Sequence, residues 1–352
     1  MRIGVPRELK PLEGRVGLIP AACAELVRAG HEVFVEKDGG IKSGYGDQQF
    51  TAVGVKILDT AEEVYGAAEM VVKVKEPIAE DLKHLRKEHL LFCYLHLAAL
   101  PELTRSLCDI GLTAVAFETV EDPQGRLPLL APMSDIAGRL SIQVATHLLH
   151  QPQGGKGILL GGVPAAERGK VVILGGGVAG GNAAIVAAGL GAEVVVFDMD
   201  RDKLEKARAL GANVTGLYPH TEDVATAVMH ADIVIGAVLV TGERAPHVVS
   251  SEMVRSMQPG SVVVDISVDQ GGCVETTRPM TYDDPTYVWE GVIHFAVTNM
   301  PGAVPRTSSQ ALSAAIAPYA MRLTSADWRQ SEDLLKGINV EAGEIIHPAL
   351  FK

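Results

Sequence analysis

VVILGGGVAGGNAAIVAAGLGAEVVVFD, residues 171–198, is the stretch on which the fold turns. It opens with an aliphatic run of strand length. Glycines 175, 177 and 180 follow with the spacing G-x-G-x-x-G, at the point where an alanine-rich, helix-forming segment begins. A second β-branched run, Val194-Val195-Val196, comes after the helix. Strand, tight turn, helix, strand is a βαβ unit, and runs that are apolar at every position belong to strands buried on both faces of a parallel sheet. Val171 to Phe197 is nearly uncharged and longer than the roughly 18 residues that suggest a membrane span. Its glycines cluster where a strand turns into a helix, which favours the buried unit instead.

Each glycine has a reason to be there. Gly175 permits the turn, Gly177 lets backbone approach a pyrophosphate, and Gly180 allows the helix to pack closely on its strand, while the helix N-terminus offers unpaired N–H groups to phosphate. Asp198 ends the second strand, where a carboxylate can accept hydrogen bonds from the adenosine ribose hydroxyls and would repel a 2′-phosphate, so NAD is favoured over NADP. Arg201 and Lys203 lie just behind it and read equally as a solvated helix face or as ribose and phosphate contacts.

Outward from this unit, the second half of the chain carries strand-like runs at Val171–Leu174, Glu193–Phe197, Asp232–Ala237, Ser261–Ile266 and Val292–Val297. The first 120 residues alternate in the same way, with runs at Arg2–Val5, His31–Glu36, Val55–Leu58, Met70–Val74, Leu90–Leu95 and Thr113–Glu118. Pro20 and Gly30 bracket one intervening helix, Pro101 and Gly111 another. Helical patterns at Met133–His150 and Thr307–Arg322 flank the second series. The expected fold is α/β: two doubly wound parallel-sheet domains, one a Rossmann NAD-binding domain, joined by long helices across a cleft. Residues 1–130 plus 307–352 form a discontinuous substrate domain and 131–306 the NAD-binding domain.

Composition narrows the function. A 352-residue chain that is 47% hydrophobic and 21% charged, with net charge −12, describes an acidic globule and disfavours nucleic acid as a partner. MRIGVPRELK enters a strand directly without a secretory pattern, so the expected address is the cytoplasm, with no membrane partner. Cys23, Cys93, Cys108 and Cys273 are widely spaced, which suggests neither a disulfide framework nor a metal site.

Ligands of open α/β sheets bind beyond the carboxyl ends of the strands. Lys75 follows MVVKV, His96 follows LLFCYL and Glu118 closes TAVAFE, so three ionisable groups emerge at one edge of the first sheet, with Arg15 in the long loop after the first strand. A lysine with an arginine can hold the carboxylate of an α-keto acid and polarise its carbonyl, and a histidine can move a proton at neutral pH. The alternative for His96 is a core histidine bonded to backbone; Glu118 is left open between surface charge and site. In the second domain Asp269 lies beyond the strand Ser261–Ile266, ahead of Gly271 and Gly272, and Asn299 follows Val292–Val297, both toward the nicotinamide end of a dinucleotide.

MRIGVPRELKPLEGRVGLIP, VVKVKEP, CYLHLA, APMSDIAGR, ILGGGVAGGNAA, VVVDISVDQGGC and TNMPGAVPRTSSQAL together resemble the alanine dehydrogenase family, related to the NAD-binding subunit of proton-pumping transhydrogenase. The resemblance spans nearly the whole chain. It implies reversible, NAD-dependent oxidative deamination of L-alanine to pyruvate and ammonium, with Arg15 and Lys75 binding substrate and His96 and Asp269 in acid/base roles. It also implies cofactor contacts at Ser134, Val178, Ala179, Asp198, Lys203, Val238, Leu239, Ile266, Asp269, Val297, Asn299 and Met300, and a homohexamer. Pro11 and Gly14 depart from the usual pattern of the first loop. The alternatives are a saccharopine-type amino acid dehydrogenase, a soluble NAD-binding transhydrogenase subunit, or a nucleotide sensor.

Overall fold

The computed structural model describes residues 1–238 and 245–351. In chain order the strands are β1 (Arg2–Val5), β2 (Glu32–Glu36), β3 (Lys56–Leu58), β4 (Met70–Val72), β5 (Leu90–Cys93), β6 (Thr113–Ala116), β7 (Lys170–Leu174), β8 (Glu193–Phe197), β9 (Val214–Leu217), β10 (Ile233–Gly236), β11 (Val262–Asp265), β12 (Thr286–Trp289), β13 (Val292–Phe295), β14 (Ile338–Glu341) and β15 (Glu344–Ile345). They form two sheets. Residues 1–133 and 302–352 make one compact unit and residues 134–301 the other.

In the first unit the strand order is β15-β14-β6-β5-β4-β1-β2-β3. β1 to β6 are parallel, whereas β14 and β15, contributed by the chain's return, pair antiparallel at the edge. In the second unit the order is β12-β13-β11-β10-β7-β8-β9, parallel except for the antiparallel edge strand β12.

The second sheet has the two-faced burial that uninterrupted apolar runs require. Val171, Ile173, Val194, Val196, Ile233 and Ile235 pack into one core, and their alternate neighbours Val172, Leu174, Phe197 and Val234 into another. Period-two alternation therefore delivers side chains to both helical layers. Among the described residues no helix is long and apolar enough to cross a membrane.

The two long helices run Ala131–Leu148 and Pro305–Leu323. The boundary between the units falls inside the first of them and just ahead of the second, in the tight turn Met300–Ala303. β9, β12, β14 and β15 have no counterpart in the sequence reading. β9 and β12 are half-exposed edge strands with mixed burial, and β14 follows a short helix so closely that no separate apolar run marks it.

Candidate active site

In the first unit β6, β5, β4 and β1 are successive neighbours. Glu118, His96, Lys75 and the Arg15 loop therefore follow each other along one carboxyl edge. Arg15 is 2% exposed and forms a fork-to-fork pair with Glu13: Nε donates to Oε1 at 2.8 Å and Nη2 to Oε2 at 2.5 Å, while Nη1 faces the Met133 sulfur at 3.2 Å. Burial disfavours the guanidinium charge, but Glu13 outweighs it and raises the pKa, so the group stays a cation. The loop is pinned by buried serines of the helix Pro305–Leu323. The Val16 N–H donates to Ser309 Oγ at 2.9 Å and the Ile19 N–H to Ser313 Oγ at 3.0 Å. Gly14 belongs to this tight fit, because a Cβ there would meet Lys42 Cβ at 3.1 Å and Pro305 Cβ at 3.2 Å. Beside Arg15 lies a small cavity of about 60 Å³, lined also by Arg7, Glu8, Glu13 and Lys42.

Lys75 continues from β4, and its backbone is held from beneath. Glu8 accepts the Val74 N–H at 2.6 Å, and Lys73, 1% exposed, lies between Glu8 at 3.6 Å and Asp81 at 3.2 Å. The Lys75 Nζ is 3.7 Å from Glu76 Oε2, while Glu76 Oε1 accepts from Lys10. Burial would raise the Glu76 pKa, yet Lys75, Lys10 and His96 overcome it and hold the carboxyl below its ordinary value.

His96 sits in the left-handed region at φ +50°, a conformation that costs a non-glycine residue about 1–3 kcal/mol and persists where its surroundings enforce it. Glu118 is the enforcing group. Its carboxylate accepts the His96 N–H at 2.6 Å and the Leu95 N–H at 3.1 Å, and the His96 Nδ1 stands 4.0 Å from the same carboxylate. The imidazole stacks on Tyr94, with centroids 5.8 Å apart and 8° between planes. At 41% side-chain exposure His96 is no core histidine.

In the second unit the site is mostly backbone. Gly175 takes φ +95°, and a Cβ on it would lie 2.6 Å from the Ala237 carbonyl. A Cβ on Gly180 would lie 1.7 Å from the Gly175 carbonyl oxygen, so helix Val178–Gly189 packs on its strand as the third glycine requires. By contrast a Cβ on Gly177 meets nothing within 4 Å, leaving room over the helix N-terminus for a pyrophosphate. Gly138 allows the same intimacy between helices: its Cβ would be 2.0 Å from the Ala179 carbonyl. Asp135, next to Ser134, accepts from Asn182 at 2.6 Å, which ties the helix Ala131–Leu148 to the helix Val178–Gly189. Asp198 accepts the Gly176 N–H at 2.7 Å and the Asp200 N–H at 2.8 Å. Lys203 is 3.6 Å from Asp198, whereas Arg201 turns away to Glu205. A glycine turn, an open helix N-terminus and a carboxylate at the end of β8 fit a dinucleotide. The turn lies between β7 and β10, where the strand order reverses.

Asp269 is exposed and accepts the Asn299 N–H at 3.3 Å, Asn299 having φ +58°. The loop bearing Asp269 folds around Asp265, a fully buried carboxylate. Asp265 accepts the N–H groups of Ser267, Cys273 and Val274 and the Thr277 hydroxyl. Burial pushes its pKa up against those hydrogen bonds. Ser267 in turn donates to the Val238 carbonyl at 2.7 Å, and Ile266 is half-buried. Val297 and Met300 are core side chains, so any cofactor contact from them is through backbone. Leu239 lies outside the described residues. Among the described residues no cluster of three or more His, Cys, Asp or Glu could hold a metal ion.

The groups the sequence reading missed are the supporting carboxylates Glu8, Glu13, Glu76 and Asp265. A weak signal existed: each stands within four residues of a singled-out lysine, arginine or aspartate, except Glu8, whose partners are 65 and more residues distant.

Residues 4–137 match the family model described as "Alanine dehydrogenase/PNT, N-terminal domain", and residues 141–348 its C-terminal domain. The chain is 48% identical to an alanine dehydrogenase of Geobacillus stearothermophilus, over 99% of this chain and 95% of that one. It is 47% identical to one of Methanococcus maripaludis, over 100% and 96%. Among solved structures, an L-alanine dehydrogenase superposes with TM-score 0.96 at 50% identity, covering 99% of this chain and 98% of that chain. A transhydrogenase from Sinorhizobium meliloti, 24% identical, shares the fold at TM-score 0.85 over 99% and 100%.

Proposed function

Because the chain belongs to the alanine dehydrogenase/PNT family, we propose that it catalyses the reversible oxidative deamination of L-alanine to pyruvate and ammonium, with NAD as its redox partner. The observation that carries this reading is identity of 47–48% along essentially the full length of relatives named for that activity. Bound NAD would supply the hydride acceptor. The rest is work for this chain's residues.

Gly175, Gly177, Gly180 and the helix N-terminus that they open are the pyrophosphate cradle. Asp198 receives the ribose hydroxyls, which selects NAD over NADP. Arg15, already oriented by Glu13, binds the substrate carboxylate, and Lys75 polarises the carbonyl or imine. His96, fixed by Glu118 and Tyr94, and Asp269, fixed by the Asp265 loop, exchange protons with the water and amine that add to and leave the substrate carbon. On this reading residues 1–130 plus 307–352 are the substrate domain and 131–306 the NAD-binding domain, and the working particle is a cytoplasmic homohexamer.

A panel of α-keto acids, each with ammonium and NADH, tests the activity by loss of NADH absorbance. Pyruvate is expected to lead. A preference for a larger, dicarboxylic keto acid would favour the saccharopine-type alternative, and no turnover with any would sink the reading. Light scattering on the purified protein tests the hexamer.

A further inference from the structure

The reaction proposed above has a carboxylate, a carbonyl, a proton and a hydride to place, and each already has a receiver. The amine nitrogen exchanges protons with His96 and Asp269, but none of the residues assigned above is a standing hydrogen-bond acceptor for it. Its N–H groups call for an acceptor beside Lys75 and His96, so the carboxylates at this edge are the candidates.

Most of those carboxylates are occupied. Glu13 holds Arg15 at both oxygens, and Glu118 takes the N–H groups of Leu95 and His96. Glu8 takes the Val74 N–H and Asp81 the Tyr65 hydroxyl and the Ile78 N–H. Glu76 differs. Its Oε1 accepts from Lys10, but Oε2, fully shielded from solvent, is the one buried carboxylate oxygen among the described residues without a hydrogen-bond partner. Such an orphan is rare in folded proteins and marks a place where a donor belongs. The neighbour of Oε2 is the Lys75 Nζ at 3.7 Å, beyond hydrogen-bond reach, and Lys75 is the group assigned to the substrate's reacting carbonyl. His96 is also close enough for its charge to act on Glu76.

We propose that Glu76 is the amine-binding residue: Oε2 accepts an N–H from ammonia during reductive amination and from the amino group of L-alanine in the reverse direction. The two lysines around Glu76 suit this role. They hold the carboxylate ionised, as its lowered pKa reflects, and they disfavour ammonium beside it relative to neutral ammonia, the form that carries the nucleophilic lone pair. The inference rests on the substrate roles of Lys75 and His96 given above.

The test is initial-rate kinetics of reductive amination, with ammonium, pyruvate and NADH varied in turn, on the parent, Glu76→Gln, Glu76→Asp and Lys75→Ala. In Glu76→Gln, Lys10 retains the carbonyl oxygen and the amide NH2 faces the amine, donor against donor. KM for ammonium should rise at least about tenfold while KM for pyruvate and NADH affinity stay within about threefold. Glu76→Asp keeps the charge and the Lys10 pairing with a shorter reach, so an intermediate rise is expected, and it carries the test alone if the glutamine variant does not fold. Parental KM for ammonium overturns the proposal, and so does a KM for pyruvate that rises as much, since Glu76 would then act only by positioning Lys75. A parent that turns over no keto acid, or Lys75→Ala with parental kinetics, would instead break the underlying assignment.

Discussion

The two carboxyl edges are built from opposite materials. In the first unit the edge is long charged side chains, Arg15, Lys75 and His96, each held by a carboxylate behind it. In the second it is bare backbone, glycines at 175, 177 and 180 and a helix N-terminus, with Asp198 as the main charged group. A side-chain edge is sensitive to charge and reach, because an unpaired buried ion costs several kcal/mol. A backbone edge is less sensitive to charge, but at Gly175 and Gly180 it cannot admit a Cβ. The same fold thus hosts two sites with different vulnerabilities.

The sharpest way to break that contrast is His96→Ala. Turnover should fall by about 10² to 10⁴, the usual contribution of a general acid/base, with NADH affinity measured by fluorescence nearly parental. Near-parental kcat in a stable variant would remove His96 from the chemistry. Next in size is Gly180→Ala, which puts a Cβ 1.7 Å from the Gly175 carbonyl. A loss of about 1–3 kcal/mol in stability is expected, with NADH binding impaired at unchanged charge. A variant with parental melting temperature and NADH affinity would contradict the packing role of the third glycine. A smaller effect is expected for Asp198→Ala, which should narrow the preference for NAD over NADP by roughly tenfold, the worth of a hydrogen bond to a charged group. An unchanged ratio of kcat/KM values would show that selection lies elsewhere.

The least dramatic test concerns acid. His294 is fully buried in β13, between the Thr276 hydroxyl and the Val292 carbonyl. Burial holds its pKa below the ordinary 6.5. Protonation therefore favours the unfolded chain, so the contribution of His294 is complete above about pH 6.5 and is lost as pH falls below it. His294→Gln should make the melting temperature fall less between pH 7 and 5, by on the order of 2–4 °C. Parallel curves would refute the assignment.

Legibility in the sequence followed the same division. Backbone sites announce themselves, since the glycine spacing and the aliphatic runs around it are local, and β1 and β8 begin and end where the runs do. The charged residues of the first edge were legible as strand-end outliers. What was illegible is what holds them: Glu118 and His96 are 22 residues apart, Glu8 and Val74 are 66, and Val16 and Ser309 are 293. No local pattern links such pairs, because the sheet order alone brings them together. β9 and β12 escaped for a different reason, being short edge strands whose exposure dilutes the alternation that would reveal them.

The serines at 309 and 313 that pin the Arg15 loop come late in the chain. In synthesis Arg15 precedes these anchors by nearly three hundred residues, and β14 and β15 follow later still. The second unit, continuous over residues 134–301, can be complete by then. Domains generally fold as units during synthesis, N-terminal ones first. Here the connectivity favours the opposite order: the unit of residues 134–301 is contiguous, while the unit that holds Arg15 needs the later helix Pro305–Leu323. Chaperone dependence during translation should therefore concentrate on the beginning of the chain, and a nonsense codon after Pro301 would spare one unit and abolish the other.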